Sequence, residues 1–347
     1  MIKEINGMTN KKIKKLYQAL WGKNKFVEFL KVRKTPYKGS VSDNSYMFDI
    51  PGYSAKDKSA GLNKIFAFSN KERFCCKFAE ACSGDGQEGA RITTLHSSSL
   101  CALLFFYDVN AANPMTLKLD GNNIVFTDSF FEFKNTVIEG RNPSNIDVVL
   151  LGKQGDKKVI LFLESKFSEY QQGVESGLDI SKSYLDNQVV SSAIYNDARF
   201  ESLLGITRGT AKSEDEFRIC SSKTMYLAGI KQMISHYVGI YNFMSGKTKA
   251  KYNECQQKVK EYYNRETTVY LGTVVFDYKI GELTIGRENE KCLESYEKKY
   301  EILADIINKR NEIGSRFKML SHIIRYSDVS KASDHKFDDN VIKFYFG

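Results

Sequence analysis

Two acidic residues and a lysine near the middle of the chain have the types and the spacing of a hydrolytic metal site. Asp147 lies in one short apolar run, and Glu164 and Lys166 lie at the end of the next. Two carboxylates repel each other at close range, and a divalent cation relieves this repulsion by taking oxygen ligands. A nearby ammonium group can stabilise charge that develops on a phosphate. These residue types therefore indicate metal-assisted phosphodiester hydrolysis.

The two runs that carry these residues have the pattern of a β-hairpin. Residues 145–151 and 159–170 are separated by a polar segment with a turn centred near Gly155 and Asp156. Facing residues of a hairpin lie equally far from the turn, so Asp147 is expected opposite Glu164, with facing side chains about 5 Å apart. Lys166 shares the face of Glu164 because strand side chains alternate. The hairpin thus predicts that the three groups meet at its open end.

This arrangement resembles the PD-(D/E)XK nuclease superfamily of restriction-endonuclease-like folds. The motif here is Asp147 followed by Glu164-Ser165-Lys166, and the residue before Asp147 is Ile146 where the family pattern has proline. The resemblance reaches from about residue 84 to 278 and is specific only between 145 and 170. It implies an α/β protein with a restriction-endonuclease-like central mixed β-sheet flanked by helices, with helical N- and C-terminal additions.

The resemblance also implies roles for individual residues. Asp147 and Glu164, with the backbone carbonyl of Ser165, would hold Mg²⁺, for which Mn²⁺ can substitute. Lys166 would orient or help to deprotonate the attacking water. The implied activity is that of a metal-dependent DNA endonuclease that leaves a 5′-phosphate and a 3′-hydroxyl. Its expected role is restriction or defence against foreign DNA, with DNA repair as another option.

Further candidates come from the helices that flank the family's site. Members often bring another acid from the first core helix, and Glu88 is the first candidate here, with Glu80 second. Glu132 and Glu139 are spare acids further along the chain. The helix after the Glu-x-Lys strand often offers a glutamine, and Gln232 is the candidate for this catalytic position. Lys231 and His236 lie beside Gln232 in the sequence.

Several alternatives stay open at this point. Glu-x-Lys on a strand is common by chance, so the three charges could form a structural ion cluster. The chain would then be a non-catalytic module that binds nucleic acid or protein. An RNA substrate is a further alternative, because contacts with the grooves and the 2′-hydroxyl distinguish the sugars. The string at residues 84–89 matches G-x-G-x-x-G, but it follows a helical pattern and is not a dinucleotide site.

The composition agrees with a polyanion partner. The chain has 347 residues, a formal net charge of +9 and a sequence pI of about 8.9, which suit DNA binding. Seven cysteines, two of them adjacent, fit a reducing cytoplasm. The longest apolar run, residues 100–107, is too short to span a membrane, and no signal peptide is evident. A homodimer is one arrangement that would supply two sites for cutting both strands.

The periodicity of the chain divides it into three expected parts. Residues 1–60 form a basic N-terminal helical extension, residues 61–280 the nuclease-like core and residues 281–347 a helical C-terminal extension. Apolar residues at helical or alternating spacing predict the elements. The expected helices are residues 10–34, 62–82, 91–107, 184–200, 226–237, 294–312 and 316–326. The expected strands beyond the hairpin lie within 122–139, 267–278 and 341–346.

Overall fold

The computed structural model describes most of the predicted core. The described residues are 32–35, 45–48, 50, 52, 54–83, 92–95, 97–138, 143–167, 179–180, 197–199, 206–208, 217–219, 230–247, 254–277, 284–309 and 316–346. Among them, strands and helices form an α/β structure in which helices flank a seven-stranded mixed sheet.

The main sheet is a four-stranded antiparallel meander extended by parallel strands. Its order is β11-β10-β6-β5-β4-β3, and β12 also pairs with β10. The strands are β3 Asn110–Leu119, β4 Asn122–Asn135, β5 Ser144–Gln154, β6 Lys157–Lys166, β10 Thr268–Val275, β11 Phe317–Met319 and β12 Ile324–Arg325. Two small sheets consist of β1 Val32–Thr35 with β2 Ser45–Phe48, and of β7 Asp179–Ile180, β8 Ile206–Arg208 and β9 Phe217–Ile219.

Eight helices are described. They are α1 Ala55–Phe66, α2 Lys71–Ala81, α3 Ser98–Phe106, α4 Ile230–Met244, α5 Glu254–Tyr262, α6 Thr284–Lys309, α7 Tyr326–Val329 and α8 Asp339–Phe346. None of the described helices combines the length and the apolar character needed to cross a membrane.

Tight turns build the meander, and a long crossover completes the sheet. Asp120 and Gly121 both have positive φ angles between β3 and β4, as two-residue hairpin loops require. Gly155, at φ 58°, supplies the positive φ angle of the two-residue turn between β5 and β6. The next strand of the sheet, β10, runs parallel to β6. A parallel neighbour needs a long connection, and α4 and α5 lie within it.

Alternation along β5 and β6 supplies two hydrophobic cores, one on each side of the sheet. Val148 and Leu150 belong to one core, and Val149 and Leu151 belong to the other. All four side chains are buried, which explains why the hairpin reads as continuous apolar runs. The strands that carry the candidate residues are therefore the centre of the molecule.

The hairpin and the elements that follow it agree with the predictions. The β5–β6 ladder runs from Gln154 opposite Lys157 to Val148 opposite Leu163, which is the predicted register. The predicted strands at 122–139 and 267–278 and the helix at 226–237 correspond to β4, β10 and α4, as far as these residues are described. The α/β class with a mixed sheet between helices is confirmed.

The boundaries of several other elements differ from those that the sequence predicts. The helix predicted over 62–82 is two helices, because Ala67 adopts a left-handed φ of 52° and ends α1. The helix predicted to begin at residue 91 begins at Ser98, where the Ser97 hydroxyl accepts a hydrogen bond from the Leu100 N–H. Strand β3 was missed, because its sequence, NAANPMTLKL, contains proline and several turn-forming residues.

The terminal parts of the chain differ most from the sequence predictions. In the part expected to be helical, 316–326 contributes β11 and β12 to the main sheet, whereas 341–346 forms α8 and not an edge strand. Apolar residues in short runs suit either state, and the neighbouring surface decides between them. Near the other terminus, Val32–Thr35 is a strand, and the rest of the predicted helix at 10–34 lies outside the described residues.

Candidate functional site

Asp147 and Glu164 follow directly on the last ladder pair of the central hairpin. The pair Val148–Leu163 places them next to each other at the open end, on neighbouring strands. The carboxylate of Asp147 accepts a hydrogen bond from the backbone N–H of Ser165 at 2.7 Å. Asp147 is partly exposed, whereas Glu164 and Lys166 are buried. Asp147 is therefore the least buried residue of the three.

Lys166, Glu164 and Gln232 form a closed triangle of hydrogen bonds. The Lys166 ammonium donates to Glu164 Oε1 at 2.7 Å and to Gln232 Oε1 at 2.8 Å. Gln232 Nε2 donates to the same Glu164 oxygen at 2.6 Å. The glutamine uses its carbonyl and its amide nitrogen together, which fixes its orientation. Gln232, the first candidate that the sequence offered on α4, therefore contacts both members of the charge pair.

His236 contacts the second oxygen of the Glu164 carboxylate. Its Nε2 lies 2.9 Å from Glu164 Oε2, and its Nδ1 lies 2.9 Å from the Ser144 hydroxyl. A carboxylate only accepts, so Nε2 is the donor in the first contact. The other ring nitrogen, Nδ1, is hydrogen-bonded to the Ser144 hydroxyl, so both ring nitrogens have a partner. The chain Ser144–His236–Glu164 holds the carboxylate plane. The sequence offered His236 only as a weaker candidate than Gln232 on the same helix, and it did not indicate Ser144.

Helix α4 delivers both polar side chains because they are four residues apart. Residues at this spacing share one face of a helix, and Gln232 and His236 both point to Glu164. The helix also approaches β4 closely at Gly239, where a Cβ would overlap Asn135 Oδ1. Asn135 in turn donates to the Ser144 carbonyl at 2.7 Å. Glycine at 239 therefore sets the distance between α4 and the strands of the site.

The surroundings of the two acids shift their pKa values in opposite directions. Burial raises the pKa of Asp147 well above its usual range, and the negative charges of Glu164 and Glu132 raise it further against the opposing effect of Lys166. Burial would also raise the pKa of Glu164, but the Lys166 ammonium and the His236 hydrogen bond outweigh it and lower this pKa to about 2. Glu164 is therefore the fixed negative charge, and Asp147 is the group that a proton or a cation would stabilise.

Glu132 is a third acid on the adjacent strand. On β4 and β5, Phe131 pairs with Val148 and Phe133 with Ile146, so Glu132 and Asp147 lie between these pairs. Glu132 is 3% exposed and has a φ of 52°, an unusual backbone conformation for glutamate. Sequence reasoning ranked it below Glu88, and the facing position could have been found by extending the register argument from β5 to β4.

The remaining candidates lie elsewhere or are not described. Glu88, Glu139 and the Lys231 side chain lie outside the described residues. Glu80 is on α2, where its carboxylate accepts hydrogen bonds from the Phe131 N–H and from the Lys77 ammonium, both at 3.0 Å. The carboxylate of Glu80 therefore covers backbone at the edge of β4. Its charge is not among the main causes of the Asp147 shift.

Ser165 anchors the motif on the opposite face of the sheet. Its hydroxyl donates to the Ser98 carbonyl at 3.0 Å and lies 2.8 Å from the Tyr326 hydroxyl. These partners belong to α3 and α7, and Ser165 is 1% exposed. Anchoring the residue between Glu164 and Lys166 fixes the strand that carries both, which is why a small hydroxyl residue suits this position.

The donor set fits a hard cation held by few protein ligands. No group of three or more His, Cys, Asp or Glu side chains in the described part of the chain is arranged to hold a metal ion. Mg²⁺ does not need such a cage, since it usually binds one or two carboxylates and keeps several waters. Asp147 and Glu164 supply two carboxylates on neighbouring strands, and a divalent cation bound between them would relieve the repulsion of their charges.

A comparison with protein-family models, with curated proteins and with solved structures finds no match for the chain.

Proposed function

We propose that this protein is a Mg²⁺-dependent DNA endonuclease with a restriction-endonuclease-like core. The observation that carries the proposal is the geometry at the end of the central hairpin. There Asp147 and Glu164 are neighbours, and the Lys166 ammonium lies 2.7 Å from Glu164. Gln232, on the helix after the Glu-x-Lys strand, also lies beside this charge pair, which supports the resemblance. Restriction or defence against foreign DNA is the role we propose for the activity.

The proposed cation ligands are Asp147, Glu164 and the carbonyl of Ser165. When bound there, Mg²⁺ would neutralise charge on a phosphodiester and make a water molecule more acidic. Asp147 is the less buried residue of the two acids, and a bound cation would relieve the repulsion between its carboxylate and that of Glu164. Glu88 stays a proposed further acid, and Glu132 is an alternative to it because its charge acts on Asp147.

The protein's own residues supply positioning and a donor for phosphate charge. Lys166 is held between Glu164 and Gln232, so its ammonium group has a fixed position beside the Glu164 carboxylate. From there it donates to a phosphate oxygen or to the attacking water. Gln232 and His236 keep the Glu164 carboxylate oriented. Preorganised charges of this kind stabilise a transition state without reorganisation.

The first test is plasmid cleavage by purified protein with Mg²⁺ or Mn²⁺. We expect nicking or cutting by the wild type and a loss of roughly 100-fold or more for Lys166→Ala, because a preorganised charge donor is removed. Asp147→Ala should lose activity to a similar degree. Lys157→Ala, an exposed lysine at the other end of the same strand, is the matched control and should cut normally. Cleavage by Lys166→Ala and Asp147→Ala at the wild-type rate would refute the proposal.

A second candidate is a non-catalytic module that binds nucleic acid or protein. The observation that favours it is that Lys166, Gln232 and His236 already donate three hydrogen bonds to Glu164. Thermal unfolding with and without Mg²⁺ distinguishes the two candidates. A functional site gains stability from a ligand that binds the folded state, and Asp147→Asn should remove that gain. A wild-type Tm that is independent of Mg²⁺ would favour the module.

A further inference from the structure

The sheet face that bears Glu164 and Lys166 is open to solvent at the opposite end of the same strands. Facing residues form a row across four strands there, and a second facing pair lies two residues further along β3 and β4. Val125 in this row is 41% exposed, which is unusual for a large hydrophobic residue of this fold. We call this surface the lysine face. Its residues are Thr116, Lys118, Asn123, Val125, Lys153 and Lys158.

Among the residues that the structure describes, the lysines of this face have no acidic partner. Lys153 and Lys158 are directly opposite each other on β5 and β6, and like charges in this position destabilise a sheet. Within the described part of the chain, no carboxylate forms an ion pair with Lys118, Lys153 or Lys158. The Lys158 ammonium instead donates to the Tyr262 carbonyl at 3.0 Å and lies 4.8 Å from the centre of the Tyr262 ring. Within the described ranges, ion pairs therefore leave the positive charge of this face uncompensated.

Acids that border the lysine face are at its margins. Asp334 accepts a hydrogen bond from the Thr116 N–H at 3.0 Å, and Asp120 accepts one from the Ser321 hydroxyl at 2.7 Å. Asp156 lies in the turn beyond Lys157. None of these acids belongs to the row of facing residues, but Asp334 also accepts a hydrogen bond from the Thr116 hydroxyl. The β3 end of the row therefore has an acidic neighbour, and its centre consists of Val125, Lys153 and Lys158.

We propose that the lysine face binds the phosphodiester backbone of DNA. Phosphates at regular spacing would neutralise the opposed lysines, and the release of their counterions would favour binding. An acidic protein is a poorer fit, because Val125 supplies the face with little apolar area. Lys153 is six residues from Asp147 on β5, a distance of about 20 Å and hence about six base-pair steps. The inference names the contact surface for the partner in the proposed function, but it does not depend on cleavage.

The test measures DNA affinity as a function of salt with metal removed by EDTA. A fluorescently labelled duplex is titrated with the full-length protein, and the slope of log K against log salt is compared between variants. The double variant Lys118→Gln/Lys153→Gln should weaken binding and reduce the slope by about 1 for each lysine. The control is Lys298→Gln/Lys318→Gln, which removes two exposed lysines from α6 and β11 with the same change in net charge.

Thermal unfolding of both double variants verifies that they fold. An unchanged or higher Tm is expected for Lys118→Gln/Lys153→Gln, because one of the two opposed like charges is removed. Failure of wild type to bind DNA, or an equal slope in the two double variants, would overturn the inference. The plasmid assay, with Asp147→Asn as the variant of the proposed cleavage site, tests the proposed activity separately from DNA binding. If neither the wild type nor any variant cleaves DNA, but the lysine-face variants still lose affinity, the proposed activity is wrong and the proposed binding surface stands.

Discussion

At the scale of single residues, the site depends on how one buried carboxylate is held. Glu164 receives donors from Lys166, Gln232 and His236, and its lowered pKa follows from these contacts. Asp147 has one hydrogen bond, from Ser165, and a raised pKa. A buried charge that keeps its partners is stable, whereas one that loses a partner costs several kcal/mol. The surroundings of Glu164 and of Asp147 therefore lead to separate predictions.

The first residue-scale prediction concerns His236. His236→Ala should lower the free energy of unfolding by about 3 kcal/mol, because it leaves Glu164 buried with one donor fewer. The matched control is His322→Ala, which removes a histidine that contacts Glu301 at the exposed surface and should cost less than about 1 kcal/mol. Urea denaturation measures both variants. Equal losses would mean that His236 does not stabilise the Glu164 charge.

The second residue-scale prediction concerns the effect of Asp147 on how protein stability depends on pH. Its pKa is raised in the folded protein, so the folded state binds the proton more tightly than the unfolded state, and stability falls as pH rises from the ordinary value of 3.8 through the raised pKa. Asp147→Asn should remove this loss and raise the metal-free Tm at neutral pH. Thermal unfolding across pH measures it, with Asp156→Asn in the exposed turn as control. A lower neutral-pH Tm for Asp147→Asn would contradict the proposed electrostatics.

At the scale of elements, the spacing between α4 and the meander decides whether the site forms. Gly239 lets the helix approach Asn135, and one turn earlier the same helix brings His236 to Glu164. A side chain at this contact would push the helix away from β4. The hydrogen bonds of Gln232 and His236, which are within 2.6 to 2.9 Å, would lengthen together.

Gly239→Ala should therefore affect both stability and activity. The added methyl group overlaps Asn135 Oδ1, and overpacking of this kind costs about 1 to 3 kcal/mol. Cleavage should decrease with it, because the positions of Gln232 and His236 change. Denaturant unfolding and the plasmid assay measure the two effects. Asn135→Ala/Gly239→Ala removes the obstructing side chain and should recover part of the lost activity; a fully stable and active Gly239→Ala would show that the contact can relax.

At the scale of the whole molecule, the C-terminal residues complete the core. Strands β11 and β12 pair with β10, and the Tyr326 hydroxyl reaches Ser165 behind the site. Helix α8 places Phe344 against the rings of Phe48 and Phe66, each at a centroid distance of 5.5 Å. The described residues after 316 therefore belong to the main sheet and to the hydrophobic core that includes Val148 and Leu150.

A truncation of one aromatic side chain tests this conclusion. Phe344 is 1% exposed, and Phe344→Ala should lower the free energy of unfolding by about 3 to 5 kcal/mol through the cavity that it leaves. Phe346→Ala, in the same helix but only partly buried, is the control and should cost less. Urea denaturation followed by circular dichroism gives both values. A loss for Phe344→Ala no larger than that of the control would mean that α8 is only loosely attached.

The sequence by itself determined the central hairpin, its register and the approach of Asp147 to Glu164. These features are local, because a short turn and a two-residue period fix which side chains face each other. The sequence also indicated Gln232, although without its partners. It did not predict β3, the split between α1 and α2, or the state of the residues after 316.

Only the tertiary structure decided the rest of the site. His236 and Glu132, which the sequence offered only as lesser candidates, reach the two acids from α4 and from β4, and Ser144 contacts His236 from β5. No spacing in the chain reports the contact between α4 and the strands. Short apolar segments such as 316–326 and 341–346 likewise become strands or helices according to the surface that they meet. Local periodicity therefore placed the motif, and long-range packing chose the residues that hold it.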